Sequence, residues 1–372
     1  MNLEIFNNIS KIIERDSKST TYKFALLRGV IDIIQENSPY IECKENCIQF
    51  PTGLLIEKWL IYYYPILHSE INIPQINGKT NLAFGRQFKQ LISDYETKGG
   101  FSAFYNDLKN KGIPKDLQSD FFELSKKLRD TITKMPMKYI GRSITNDFYS
   151  IFKYEKKTIG TKSTIDIESL IKEFGTFSIP YEYYQAFKIL GSLITGQDSI
   201  LFNWAEFSVK ASNNNLSVST VLNEVLKSPI TERNIKDSKK LYSEILKKNG
   251  MFYCVWTGTK MTKTKESNID HVIPFSIWKN NDLWNLLPST AKINNNKRDK
   301  IPTPEIIEKQ KELILEYWEI IYESQSQRFQ KEIQVALLGN LSFDTWKHNG
   351  ISQLQNSCNY LIENRGFEGW KI

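Results

Sequence analysis

Apolar residues recur at helical spacing along most of this chain and turn strand-like in only two short stretches. That pattern limits the fold to a helical body carrying small β elements. Phe84, Phe88, Leu91, Ile92 and Tyr95 fall at i, i+4, i+7, i+8 and i+11, one face of a helix that stops at Gly99-Gly100. Residues 22–35 carry a wide apolar face in Phe24, Leu26, Leu27, Val30, Ile31, Ile33 and Ile34. Further helices are expected over 53–64 (ending near Pro65), 114–135, 165–174, 181–195, 197–211 and 232–248, the last ending at Gly250. Thr303-Pro304 reads as an N-cap and first-turn pair opening one long helix to Gln330 or beyond, ended by Gly339. A last helix is expected over 351–363. Residues 138–144 and 147–154, split by Thr145-Asn146, read as a β-hairpin. The expected fold class is mainly α with small β elements, an α+β chain.

The second strand-like stretch, 250–302, reads β, β, then helix. A first strand covers 251–256, and Thr257-Gly258-Thr259-Lys260 supplies a turn. A second covers 267–273, with Ile269, His271 and Ile273 on one face and Asn268, Asp270 and Val272 on the other. A loop of about twenty residues holds Asn285, and a short helix over 291–298 carries Asn294. Asp270-His271 thus ends an apolar run, Asn285 stands fourteen residues after His271, and Asn294 nine after that. The chain has three histidines; His68 and His348 read as structural or surface residues.

These residue types suit phosphodiester hydrolysis. That reaction needs an attacking water, a neutralised phosphate oxygen and help for the leaving oxygen, and a hard divalent ion with few protein ligands serves the last two. Asp270 offers a carboxylate ligand and Asn294 an amide oxygen. His271, neutral near pH 7, can take a proton from water. Asn285 suits bracing the loop and fixing the His271 tautomer. Lys297, one helical turn beyond Asn294, suits a phosphate contact. Alternatives stay open: His271 as a metal ligand, Asn295 or Asn296 in place of Asn294, and Asp299 paired with a lysine.

Charge agrees with this. Residues 247–300 hold ten basic and four acidic residues, an excess of six in a chain whose net charge is +7. A basic cluster on the segment with the unusual Asp-His-Asn order suits a polyanion. Lys260, Lys263, Lys265, Lys292, Lys297, Arg298 and Lys300 are the candidate nucleic-acid contacts.

Four cysteines do not make a disulfide framework. Cys43 and Cys47, spaced C-x3-C, read as free thiols in preference to a zinc site. The first residues show no charged stretch followed by an apolar one, and no apolar run reaches the length of a membrane span. A soluble, cytoplasmic protein without a membrane partner is expected. The 372 residues allow two or three domains. The expected division is an N-terminal helical domain over 1–136, a mixed region with the hairpin and helices over 137–249, the ββα unit over 250–302, and C-terminal helices over 303–372 packing back on the body.

The 250–302 segment resembles the HNH, or ββα-metal, nuclease superfamily. Its Asp-His is Asp270-His271, its loop Asn-Leu is Asn285-Leu286, and its helical Asn-x-x-Lys-x-Asp is Asn294 to Asp299. Cys254, Trp256, Thr257 and Gly258 fit the strand signature Cys-x-Trp-Thr-Gly, and Ile273-Pro274 fits the Ile-Pro after the histidine. The final motif position is Asn here, and the two Cys-x-x-Cys pairs that staple many such domains with zinc are missing. Packing by Trp256, Trp278 and Trp284 is expected to replace them. The likeness covers about 55 residues. A weaker one, over 20–27 and 59–65, is to uncharacterised prokaryotic HNH proteins of restriction or anti-phage type. The resemblance implies a metal-dependent endonuclease using Mg2+ or Mn2+ and no zinc, acting on DNA, as a homodimer or with a defence-system partner. Two other classes compete: an RNA-cleaving or signal-gated effector nuclease, and a non-catalytic DNA-binding protein.

Overall fold

The computed structural model describes residues 5, 7–9, 12, 18–77, 81–140, 150–160, 165–195, 200–225, 233–263, 267–279 and 281–371. The chain divides into two compact units, Met1–Ile230 and Thr231–Ile372. The described part is mainly helical with short strands, as the apolar periodicity predicts. No helix among the described residues is long and apolar enough to cross a membrane.

In the first unit, α1 (Tyr22–Gln35) buries Phe24, Leu26, Leu27, Val30, Ile31, Ile33 and Ile34, the face expected from its spacing. Helix α2 (Thr52–His68) does not stop near Pro65 but runs through it. Tyr62, Tyr63, Tyr64 and Ile66 are all buried around the proline, and that packing offsets the lost backbone hydrogen bond. The start of α2 lies against the backbone of the helix Ile167–Glu173: a Cβ on Gly53 would sit 2.0 Å from the Leu170 carbonyl oxygen, so only glycine fits. A four-stranded antiparallel sheet joins β1 (Glu42–Cys43), β2 (Cys47–Pro51), β3 (Lys153–Glu155) and β4 (Thr176–Pro180) in the order β1-β2-β4-β3. Phe50 pairs with Phe177 across β2 and β4, their rings stacked 5.1 Å apart.

The hairpin expected over 138–154 is not what its described parts form. Pro136–Tyr139 is a helical turn, with Pro136 at the first position, where a missing N–H costs nothing. Strand β3 pairs with β4, far along the chain. Residues 141–149 lie outside the described residues.

The second unit opens with α3 (Lys236–Asn249), ended by Gly250 at φ +69. The short strands β5 (Phe252–Tyr253) and β6 (Lys260–Met261) form a hairpin around Gly258 at φ +65. Then come β7 (Ser267–His271), the turn α4 (Phe275–Trp278), β8 (Leu286–Thr290) and α5 (Ala291–Lys297). Strand β7 pairs antiparallel with β8, from Ser267↔Thr290 to His271↔Leu286. This corrects the expected pairing: the second strand beside the helix lies inside what reads as a loop, and the first expected strand belongs to a separate hairpin. Pro288 hides β8, because proline cannot donate to a ladder and normally argues against a strand. Here it faces Ile269, and its carbonyl accepts from the Val255 N–H at 2.9 Å.

The parallel pair β9 (Ile301–Pro302) and β10 (Gly369–Trp370) ties the chain's last turn to the module. Between them the expected single helix is broken into α6 (Pro304–Lys309), α7 (Lys311–Ser324) and α8 (Ser326–Ile333), followed by α9 (Trp346–Glu363). The breaks fall at Gln310 (φ −102) and Gln325 (φ −138), where the backbone leaves the helical region. One core runs through the unit. Leu241 and Tyr242 of α3, Trp256, Trp284 and Ile301 of the middle segment, and Ile307, Trp318, Leu354 and Trp370 all belong to it. Trp256, Trp284 and Trp318 are fully buried, and Trp278 packs edge-on against Trp284. The positions 249/250 and 302/303 therefore divide no core. The C-terminal helices are packed on the module itself.

Candidate active site

Asp270 and His271 end β7. Alternation along a strand would send them to opposite faces, yet both line one cavity of about 570 Å3. The strand stops at this pair because Asn285, fully buried, takes over the backbone that follows. Its carbonyl accepts from the Val272 N–H at 2.8 Å. Its side-chain oxygen accepts from the Ile273 N–H at 2.8 Å, and its amide donates to the Ile273 carbonyl at 3.0 Å. Asn285 is thus a backbone clamp. It makes no hydrogen bond to the imidazole, so the expected hold on the His271 tautomer is not its contribution.

That contact belongs to Asn281, whose side-chain oxygen lies 3.4 Å from His271 Nε2. The same oxygen accepts from the Asn234 N–H at 3.0 Å, which identifies it as the acceptor. Nε2 is then the donor, and Nδ1 keeps its lone pair. Nδ1 is buried and has no hydrogen-bond partner among the described residues. Burial, and after it the Arg233 guanidinium, lowers the imidazole to about 4, so the ring is neutral near pH 7.

Asp270 is 3% exposed. Trp256 Nε1 donates to its Oδ2 at 2.7 Å, and Lys297 Nζ stands 3.2 Å from Oδ1 and 3.1 Å from Oδ2. Burial pushes this carboxyl above the usual range, and Lys297 and Trp256 pull it back. Trp256 of the Cys-x-Trp-Thr-Gly signature therefore has a local purpose: it orients the carboxylate. Lys297 is 0% exposed and also donates to the His271 carbonyl at 2.6 Å. The expected phosphate contact of Lys297 is corrected by this burial: it is the internal partner of Asp270.

Helix α5 starts where Thr290 Oγ1 accepts from the Ile293 N–H at 3.3 Å, an N-cap. Asn294 and Lys297, three residues apart, share one side of it. Asn294 lines the cavity with Asp270 and His271. Asn295 lines it too, but Asn296 is turned away, its oxygen accepting from Trp370 Nε1 at 2.8 Å. Asp299 also lines the cavity and accepts from Ser276 Oγ at 2.9 Å.

A carboxylate and an amide oxygen form a hard, oxygen-only donor set. Such a set fits a hard divalent ion that keeps most of its waters. A carboxylate has about four lone-pair positions, so the three contacts to Asp270 leave room for one more. No group of three or more His, Cys, Asp or Glu among the described residues could hold a metal. Cys43 is exposed and Cys47 half-buried, both as free thiols.

Of the expected nucleic-acid contacts, Lys260, Lys263, Lys292 and Arg298 are exposed, and Arg298 lines the cavity. Lys300 pairs with Glu368 at 2.5 Å. Lys265 lies outside the described residues. Arg233 and Asn281 belong to the site and carry no sequence signal. They reach it through contacts to β7 and its following turn.

Residues 254–303 match the HNH endonuclease family, which points to a nuclease-type hydrolase and implies nucleic-acid binding. HNH nucleases generally use a divalent metal ion. Residues 2–225 match a domain of unknown function, DUF8808. Neither a curated protein nor a solved structure matches the chain. Because the first match spans more than half of its length, the chain belongs to the DUF8808 family, and it carries an HNH endonuclease domain behind that region.

Proposed function

We propose that this protein is a metal-dependent endonuclease that hydrolyses phosphodiester bonds of duplex DNA. In this reading Asp270 and Asn294 hold Mg2+ or Mn2+, and His271 is the general base. The observation that carries it is that these three residues, brought from a strand end and a helix, line one cavity.

Asp270 and Asn294 would hold the divalent ion, which would supply charge neutralisation at the phosphate and the leaving oxygen. The rest falls to the chain's own groups. Trp256 and Lys297 fix the Asp270 carboxylate, so little side-chain freedom is lost on binding. With Nε2 turned to Asn281, Nδ1 of His271 is the ring nitrogen with a free lone pair, and a small ring movement that opens this buried atom to the cavity would let it take the proton of the attacking water. Asn285 holds the turn after His271, which keeps that ring in place. The exposed Lys260, Lys263, Lys292 and Arg298 attract the phosphate backbone. One such site cuts one strand, so the single-copy product is a nick, and a double-strand break needs a second copy. Restriction or anti-phage defence is the biological setting that fits this activity.

The test is supercoiled-plasmid nicking by the full chain with Mg2+ or Mn2+, compared with a chelated sample. His271→Ala should lower cleavage by about 10²–10⁴-fold while DNA binding persists. Equal cleavage by that variant overturns the assignment. Parallel assays on single-stranded DNA and RNA decide the substrate; preference for RNA overturns the DNA assignment and keeps the chemistry.

A further inference from the structure

We infer that Arg233 is a phosphate-binding residue of this site, contacting the backbone of the nucleic acid at or next to the bond being cut. The inference rests on the nuclease reading and extends it beyond the HNH match, which begins only at residue 254.

Arg233 lines the same cavity as Asp270, His271 and Asn294. It arrives from the segment ahead of α3, and that segment is pinned to the site twice. Arg233 Nη2 donates to the Ile269 carbonyl on β7 at 3.3 Å. The next residue, Asn234, donates its N–H to Asn281 Oδ1, the atom that faces His271 Nε2. Asn234 Oδ1 also accepts from the Lys236 N–H at 3.1 Å as α3 begins. A position held from both sides in this way is a built one.

The electrostatics point the same way. The two carboxylates of the cavity are engaged elsewhere, Asp270 by Lys297 and Trp256, Asp299 by Ser276. Among the described residues neither forms an ion pair with Arg233 within 4.0 Å. The guanidinium has five N–H donors in a planar fork, and among the described residues it spends one contact, on Ile269. Arg233 is exposed, so a phosphate reaches it without any rearrangement of the core. A planar fork with spare donors beside a general base suits a phosphodiester, whose two non-bridging oxygens it can hold in a bidentate contact. Arg298, at the end of α5, brings a second guanidinium to the cavity from a distant part of the chain. Together they would grip consecutive backbone positions.

The experiment measures binding of a short duplex by full-length protein in the His271→Ala background, as a function of salt, alongside cleavage by the parent chain. Arg233→Gln should reduce the slope of log K against log[salt] by about one and raise KM about five- to tenfold. Arg233→Lys should restore the salt slope but not KM, since an ammonium keeps the charge and loses the fork. Lys239→Gln, on the exposed side of α3, is the control for a charge removed away from the cavity. Thermal unfolding of each variant separates lost contacts from lost structure. An Arg233→Gln slope equal to that of the unaltered residue, with KM unchanged, overturns the inference even if the protein cleaves DNA. Failure of the parent chain to cleave, with binding intact, sinks the nuclease reading instead and leaves the slope to judge Arg233.

Discussion

Lys297→Met separates two readings of the lysine in the Asn294–Asp299 motif. If Lys297 served the phosphate, its removal would weaken DNA binding and leave stability alone. Its ammonium is instead fully buried, within 3.2 Å of both Asp270 oxygens and 2.6 Å from the His271 carbonyl. Methionine fills nearly the same space but leaves a buried carboxylate with only Trp256 as donor. Removing one partner of a buried ion pair costs about 3–5 kcal/mol, because the remaining charge is uncompensated. For a unit of about 140 residues the unfolding entropy is about 0.3 kcal/mol/K. The transition of the Thr231–Ile372 unit should then fall by roughly 10–17 °C. Calorimetry or near-UV circular dichroism of the full chain, without divalent metal, measures it. Mn2+ should recover part of the loss, since a cation at Asp270 replaces the missing charge. A Lys297→Met protein that melts within about 2 °C of the parent, yet binds DNA more weakly, would refute the buried-partner argument and return Lys297 to the phosphate.

Two further outcomes follow from the same geometry. Asn285→Ala should destabilise the unit by about 2–6 kcal/mol, since it strands the buried N–H and carbonyl of Ile273 at about 1–3 kcal/mol each; urea unfolding checks this, and a loss under about 0.5 kcal/mol would contradict the clamp. Glu332 is pushed up to about 8, first by burial and then by the Asp282 carboxylate, against the pull of Arg328. The native state therefore holds a proton that the unfolded chain releases near the ordinary glutamate value of 4.5. Stability from this group is full below that value and is lost as pH rises towards 8, by at most about 1.4 kcal/mol per pH unit. Glu332→Gln should flatten the fall in urea midpoint between pH 5 and 8; parallel curves for the two proteins would show that Glu332 does not titrate there.

The helices were legible because their signal is local. Apolar side chains three and four residues apart share a face whatever else the chain does, and 22–35 and 181–195 have the bounds their spacing predicts. The breaks at Gln310 and Gln325 and the passage through Pro65 were not legible, because tertiary packing decided them against local preference. In the site, the order and spacing of Asp270, His271 and Asn294 announced chemistry, since few other uses call for those groups together.

By itself, then, the sequence determined a mainly helical chain with an HNH nuclease segment, and it named the carboxylate, imidazole and amide of the candidate site. Only the tertiary structure decided that Lys297 is a buried counter-charge, that Asn281 and not Asn285 faces the imidazole, that β8 pairs with β7, and that Arg233 joins the cavity. Each of these depends on which distant residue comes to lie opposite, Lys297 on Asp270, Arg233 on Ile269, Pro288 on Ile269. Such pairings are set by the burial of a whole core, and no local spacing records them.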